Sequence, residues 1–243
     1  MTRVLYQLPG KLDQVLGSGV ITERQAFLNR NAGDGLTVEV RANPGGPDAI
    51  QSVRDAAIAV PGIMDGIAAA EREGFAGAIN GCFSDPGMSA IRQSVRMPVV
   101  GPGACAFQIA VQLGDRFSIL SPTGGGTRGR AELNATGIDD RLASVRPIGL
   151  SVIEIARNRE QALERAIAAG RLAVEQDGAD TIVLGCMSLA FQDASTALQD
   201  GIGVPVVNPV VASLMLLRTL IHMNLSHSPV AYPMPPEAAT ARH

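Results

Sequence analysis

Two cysteines occupy matched positions of an internal repeat. Cys82 closes the stretch Gly74-Phe75-Ala76-Gly77-Ala78-Ile79-Asn80-Gly81-Cys82, and Cys186 closes Gly178-Ala179-Asp180-Thr181-Ile182-Val183-Leu184-Gly185-Cys186. Pro-Val-Val-x-Pro follows each of them, as Pro98 to Pro102 and Pro205 to Pro209, which is 16 and 19 residues past the cysteine. The copies lie about one hundred residues apart in a chain of 243. A lone cysteine at a strand end reads as a small buried hydrophobe. Two at equivalent places in a duplicated unit read as a functional pair, because a thiol near neutral pKa can give or take a proton and its thiolate is a nucleophile. Cys105 has no counterpart in the second half and is read as packing in the helix after Val100.

The elements that must position these thiols alternate along the chain. Strands are expected at Arg3 to Leu8, Leu36 to Ala42, Ala76 to Asn80, Pro98 to Val100 and Arg116 to Leu120. In the second half they are expected around Val145 to Val152, at Thr181 to Leu184 and at Val204 to Val207. Helices are expected at Ile21 to Asn31, Ala49 to Ala59, Gly62 to Glu73, from Asp85-Pro86 to about Val95, and at Ala104 to Leu113. Further helices are expected near Arg128 to Ala135 and at Asn158 to Gln176, Leu189 to Gln199 and Val210 to Asn224. Strand and helix in alternation mean parallel sheets, with ligands beyond the C-terminal strand ends. Both Gly-Cys pairs stand at such ends. Each is expected just before a helix start, where the dipole favours a thiolate and lowers the thiol pKa. If the two halves face each other through a pseudo-two-fold, both thiols reach one cleft.

Composition narrows the classes. Apolar residues make up 46% and charged residues 18%, enough for a core and unlike a disordered chain. The formal charge of −3, with no basic run and few aromatics, argues against a nucleic-acid or anionic-membrane partner. The apolar run from Val210 to Ile221 is too short to span a bilayer and contains Arg218. A cytoplasmic protein is expected. Three cysteines without CxxC spacing fit neither a disulfide scaffold nor a zinc ribbon, and the three histidines all lie in the last 22 residues, so no metal site is expected.

Other polar residues are weaker candidates. Thr123-Gly124-Gly125-Gly126-Thr127-Arg128 has the glycines of a phosphate cradle but not its Gly-Lys-Ser/Thr ending, and reads as a strand-to-helix turn. Thr123 is placed to reach the cleft from that turn. Gln7 and Ser52 lie near strand or loop ends, where a cap or surface role competes with substrate contact.

The segment Gly81-Cys82-Phe83-Ser84-Asp85-Pro86-Gly87-Met88, followed by Pro98-Val99-Val100-Gly101, resembles the first cysteine motif of the hydantoin and allantoin racemases, members of the Asp/Glu racemase superfamily. Gly46 to Ser52, Ala59-Val60-Pro61-Gly62, Arg116 to Leu120, Gly137 to Arg141 and Ile182 to Cys186 are also similar to that family. The similarity reaches to about Leu225. The chain departs from the family at Leu8-Pro9-Gly10, where Asn-Pro-Asn is common, at Ala104, where Glu is common, and at Met187-Ser188 after the second cysteine. These positions border or support the pocket, so they bear on the substrate.

The resemblance implies an α/β fold of two pseudo-symmetric, doubly wound parallel-sheet lobes with the active site between them. One lobe would comprise residues 1–100 with the helix of about 209–225 and carry Cys82. The other would comprise 101–208 and carry Cys186, with 226–243 as a Pro-rich surface tail. It further implies racemisation without a cofactor, one cysteine removing the α-proton as thiolate and the other returning a proton to the opposite face. A 5-substituted hydantoin or allantoin is the expected substrate. Phe83, Ser84, Met187 and Ser188 would line the pocket, with Gln7, Ser52 and Thr123 as further contacts. Within the superfamily the competing reading uses one cysteine alone, as in maleate isomerases and arylmalonate decarboxylases. Outside catalysis it is a small-molecule binding protein. A homo-oligomer is expected, although apolar surface on the last helix would suit a core-facing helix equally.

Overall fold

Four short apolar runs in the first half of the chain pair side by side, and four in the second half do the same. The computed structural model describes residues 1–123, 133 and 137–235. It divides into two units, Met1–Gly101 with Ser213–His243, and Pro102–Ala212. The expected Gly-rich turn after Thr123, the helix near Arg128 to Ala135 and the last eight residues of the tail lie outside the described residues, apart from Leu133, which is buried.

In the first unit, β1 (Thr2–Gln7), β2 (Leu36–Arg41), β3 (Gly77–Asn80) and β4 (Val99–Val100) form a parallel sheet in the order β2-β1-β3-β4. In the second, β5 (Phe117–Ser121), β6 (Leu142–Pro147), β7 (Thr181–Leu184) and β8 (Val206–Val207) form another in the order β6-β5-β7-β8. The topology is the same: the second, first, third and fourth strands of each unit lie in that order. Register agrees as well. Gln7 stands opposite Asn80, and Leu120 opposite Leu184, each just before a Gly-Cys pair.

Helices join the strands. Those of the first half are α1 (Leu12–Leu16), α2 (Gly19–Ala32), α3 (Val53–Arg72), α4 (Met88–Ser94) and α5 (Pro102–Leu113). Numbering the described helices onward, α6 (Val152–Arg157), α7 (Arg159–Asp177), α8 (Met187–Ala190), α9 (Ser195–Ile202) and α10 (Pro209–His222) complete the chain. The last of these starts in the second unit and ends in the first. Cys105 is buried in α5, beside the Phe107 that stacks on Phe117 at 5.6 Å between centroids.

The expected helices differ from the structure in three places, α1 and α6 lie where none was expected, and the strand expected around Val145 to Val152 is β6, which ends at Pro147. The two helices expected on either side of Pro61 are one, α3, running through the proline. Pro61 removes one helix N–H. Even so, Ala59, Ile63, Ile67 and Ala70 form one fully buried row across it, packing with Leu5 and Ala78. The Asn43 side chain adds a bond at the break, its Nδ2 donating to Ala59 O at 3.0 Å. Tertiary burial thus outweighs the local breaker. The helix expected to start at Asp85-Pro86 starts at Met88 instead, because Asp85 and Gly87 both take positive φ, 47° and 74°, so neither lies within a right-handed helix and Gly87 becomes the N-cap. The helix expected over Leu189 to Gln199 is two, α8 and α9, broken where Asp193 also takes a positive φ of 56°.

The fourth strand of each sheet is an edge, and in both units a side chain meets its outward N–H. Val99 N donates to His227 Nε2 at 2.9 Å, and Val206 N to Gln199 Oε1 at 3.2 Å. His227 belongs to the segment after α10, which is tied down rather than loose. Ser226 Oγ donates to Arg96 O, and Arg92 and Arg96 donate to Tyr232 OH and O at 3.2 and 3.1 Å.

Candidate active site

Each cysteine follows a glycine that extends the parallel ladder by one residue. Gly81 N donates to Gln7 O at 2.8 Å, and Gly185 N to Leu120 O at 2.8 Å. Neither glycine can carry a side chain in place. A Cβ on Gly81 would stand 2.6 Å from Gln7 O and 2.7 Å from the Tyr6 ring, and one on Gly185 2.6 Å from Ile119 Cγ2 and 2.7 Å from Leu120 O. Strand, glycine and cysteine therefore recur as one geometry at the C-terminal end of the third strand of each unit. None of the three cysteines is in a disulfide, and Cys82 and Cys186 are 7% and 4% exposed.

Past the cysteines the units diverge. Cys82 enters an irregular turn instead of the expected helix start. Its own N–H donates to Asn80 O at 2.8 Å, and Asp85 N closes on Cys82 O at 3.0 Å. The Cys82 Sγ lies 3.4 Å from Ser84 Oγ, a contact in which either atom can donate. Phe83 and Ser84 are half-buried in this turn. Cys186 instead occupies the N-cap position of the one-turn helix α8, and Ala190 N donates to Cys186 O at 3.0 Å. Met187 and Ser188 follow it directly and are buried.

The remaining expected contacts are placed as follows. Gln7 is 1% exposed, and its Nε2 donates to the carbonyls of Leu8, Arg41 and Ala42 at 3.1–3.3 Å. Its amide thereby ties the ends of β1 and β2 together. It also lines a cavity of about 610 Å³ with Asn43, Ile58, Pro61 and Asp65 of the same unit. Ser52 is the N-cap of α3, its Oγ accepting from Asp55 N at 3.0 Å. A hydrogen bond from the Ser52 hydroxyl to the Asp55 carboxylate also holds that carboxyl below its usual range, with the Gln51 backbone N–H assisting. Thr123 is exposed at the end of the described segment, and its carbonyl accepts from Ser121 Oγ at 3.0 Å. Among the described residues, no group of three or more His, Cys, Asp or Glu is arranged to hold a metal ion. No helix of the described residues is long and apolar enough to cross a membrane.

A profile of the Asp/Glu/hydantoin racemase family matches residues 22–217. This chain belongs to that family. A hydantoin racemase of Paenarthrobacter aurescens is 31% identical over 214 residues, covering 87% of this chain and 90% of its own. One from Pseudomonas sp. strain NS671 is 30% identical over 179 residues, covering 73% and 71%. The structure of an allantoin racemase from Klebsiella pneumoniae superposes with a TM-score of 0.86 at 25% identity, over 97% of this chain and 94% of that one.

Within this family member, residues that sequence reasoning passed over brace the cysteine turns. Asn80 is fully buried and its Nδ2 donates to Pro86 O at 2.9 Å, holding the far side of the Cys82 turn. Asn208 is nearly buried and does comparable work in the second unit. The available signals were an Asn at the end of an otherwise apolar strand and an Asn at the variable position of the second Pro-Val-Val-x-Pro.

Proposed function

We propose that this protein is a cofactor-independent racemase of a small, carbonyl-activated stereocentre, best matched by a 5-substituted hydantoin or allantoin, with Cys82 and Cys186 as its two proton-transfer groups. The observation that carries this reading is the recurrence of one strand-glycine-cysteine geometry in two units of the same topology. Membership of the family and the hydantoin racemases among its relatives support it.

Inverting a stereocentre through a planar intermediate requires one acid/base group on each face, and two thiols supply chemically equal ones. The reading therefore has the two units present Cys82 and Cys186 to opposite faces of one substrate. In one direction a thiolate takes the proton from the carbon beside the carbonyl, and the electron pair moves onto the carbonyl oxygen. The opposite thiol then protonates that carbon, leaving product, one new thiol and one new thiolate. The enzyme ends with its protons interchanged, ready for the other enantiomer. The developing oxyanion needs donors. The Cys82 N–H is engaged by Asn80 O, so the proposal assigns that role to hydroxyls beyond the cysteines, those of Ser84 and Ser188.

The test is to incubate each enantiomer of a 5-substituted hydantoin, and of allantoin, with the protein and follow optical rotation to zero. Loss of rotation from both enantiomers at rates well above the uncatalysed background is expected, without any added cofactor. Conversion of one enantiomer only, or release of a different product, would overturn the racemase reading.

A further inference from the structure

The two cysteine turns each meet the exit of the neighbouring strand, but the side chain at the contact comes from opposite ends. In the second unit it comes from the strand. Asn208, first after β8, sends Nδ2 to Ala190 O at 2.8 Å and to Ser195 Oγ at 3.3 Å. Its Oδ1 accepts from Val210 N at 2.9 Å at the start of α10. Ala190 is the residue whose N–H closes on the Cys186 carbonyl.

The first unit has Gly101 where the repeat puts Asn208. Gly101 does not have a positive φ, so its backbone does not call for glycine. What excludes a side chain there is Asp85: a Cβ on Gly101 would overlap the Asp85 carboxylate carbon and both of its oxygens. Asp85 is also the residue whose N–H closes on the Cys82 carbonyl, at 3.0 Å. It holds this place in the left-handed region, a conformation that costs a non-glycine residue energy and persists only where the surroundings fix it. In both units, then, the residue that closes the turn on the cysteine carbonyl is the residue that meets the strand exit.

We infer that Asp85 and Asn208 are equivalent positioning residues, each fixing the turn after one cysteine against the strand beside it. Asp85 reaches from the turn to the strand, and Asn208 from the strand to the turn. The inference rests on reading Cys82 and Cys186 as the reacting groups, but it concerns the placement of each thiol and can be judged without turnover.

The experiment measures the iodoacetamide alkylation rate of each cysteine by peptide mass spectrometry, alongside racemisation, in D85G, D85N, N208A and the transplant D85G/G101N. Freeing one turn opens it locally, so D85G is expected to speed alkylation of Cys82 by about tenfold and leave Cys186 within about twofold, with N208A doing the reverse. D85N keeps the shape, and an amide already serves at Asn208, so Cys82 is expected to stay close to its native rate. The transplant moves the anchor to the strand end, as in the second unit, and is expected to recover most of the slow Cys82 rate that D85G loses. Equal acceleration of both thiols by D85G, or no recovery in the transplant, would overturn the inference. If D85G does not fold, a D85N protein with native Cys82 reactivity supports the anchor, and one with Cys82 alone accelerated about tenfold shows that an amide cannot replace the carboxylate and overturns the equivalence with Asn208. Protein that alkylates as expected but racemises nothing would sink the proposed reaction and leave the positioning role standing.

Discussion

The Cys82 and Cys186 turns begin alike and end differently. Up to the cysteine they share the register, the ladder-extending glycine and the burial of the thiol. After it, one becomes an irregular turn with a left-handed Asp85 and a Ser84 hydroxyl beside the sulfur, and the other a single helical turn with buried Met187 and Ser188. The shared part sets where a thiol stands, and backbone geometry resists changes there. The divergent part consists of side chains around the sulfur. A racemase of the proposed kind meets a substrate whose two faces differ in their surroundings, so equal acid/base groups with unequal neighbours are what its chemistry calls for.

The comparison can be broken at several depths. The largest effect is expected from removing either thiol: Cys82→Ala and Cys186→Ala should each lower the racemisation rate on the order of 10³-fold, measured by polarimetry. Cys105→Ala should leave that rate within about twofold, since its thiol lies buried in α5.

Next come the shared glycines. Gly81→Ala and Gly185→Ala force a methyl to within 2.7 Å of strand atoms in either unit. Each should lower unfolding stability by about 3 kcal/mol in urea titrations, since overpacking against backbone has little room to relax. A cost at one glycine alone would mean that the geometry is not shared.

A smaller loss is expected at the strand exit of the second unit. Asn208→Ala strands the Ala190 carbonyl and the Val210 N–H. About 1–2 kcal/mol should be lost in the same titration, the range for a buried group left without its partner.

The smallest effect separates the sheet edges. Burial, with Arg92 and Arg96 nearby, pushes the His227 pKa down to about 4 from its ordinary 6.5, while a bond to the Met97 backbone works the other way. A depressed histidine pKa means that the folded state prefers the neutral ring, which accepts from Val99 N. Its contribution is therefore whole above pH 6.5 and is lost as the pH falls from there through about 4. Solvent screening of this partly exposed ring holds the loss to on the order of 1 kcal/mol. Gln199 does not titrate, so hydrogen-exchange protection of Val99 N–H should fall over this window while that of Val206 N–H holds.

Much of this arrangement was legible in the residues. The strands and the Gly-Cys ends were readable because continuous apolar runs bounded by glycine and proline have few other uses. The course of α3 through Pro61 was not, because the fully buried row of Ala59, Ile63, Ile67 and Ala70 decides it, and burial is a tertiary fact. Asp85 before Pro86 reads as a helix cap, and only its contact with Gly101, 16 residues on, gives it another role. His227 sits in a Pro-rich stretch with no periodicity, so its bond to a strand 128 residues earlier has no local signature. Gln7 and Ser52 read as polar residues near element ends, and their observed bonds to backbone are of the capping and bracing kind.

The central claim is that Cys82 and Cys186 serve opposite faces of one substrate. Proton exchange at the stereocentre in D₂O tests it most directly, with each single Cys→Ala variant and each enantiomer followed by NMR. The account predicts mirrored losses: Cys82→Ala should stop exchange from one enantiomer far more than from the other, and Cys186→Ala should show the opposite preference. Equal losses from both enantiomers in either variant, or a cysteine whose removal changes neither, would contradict it.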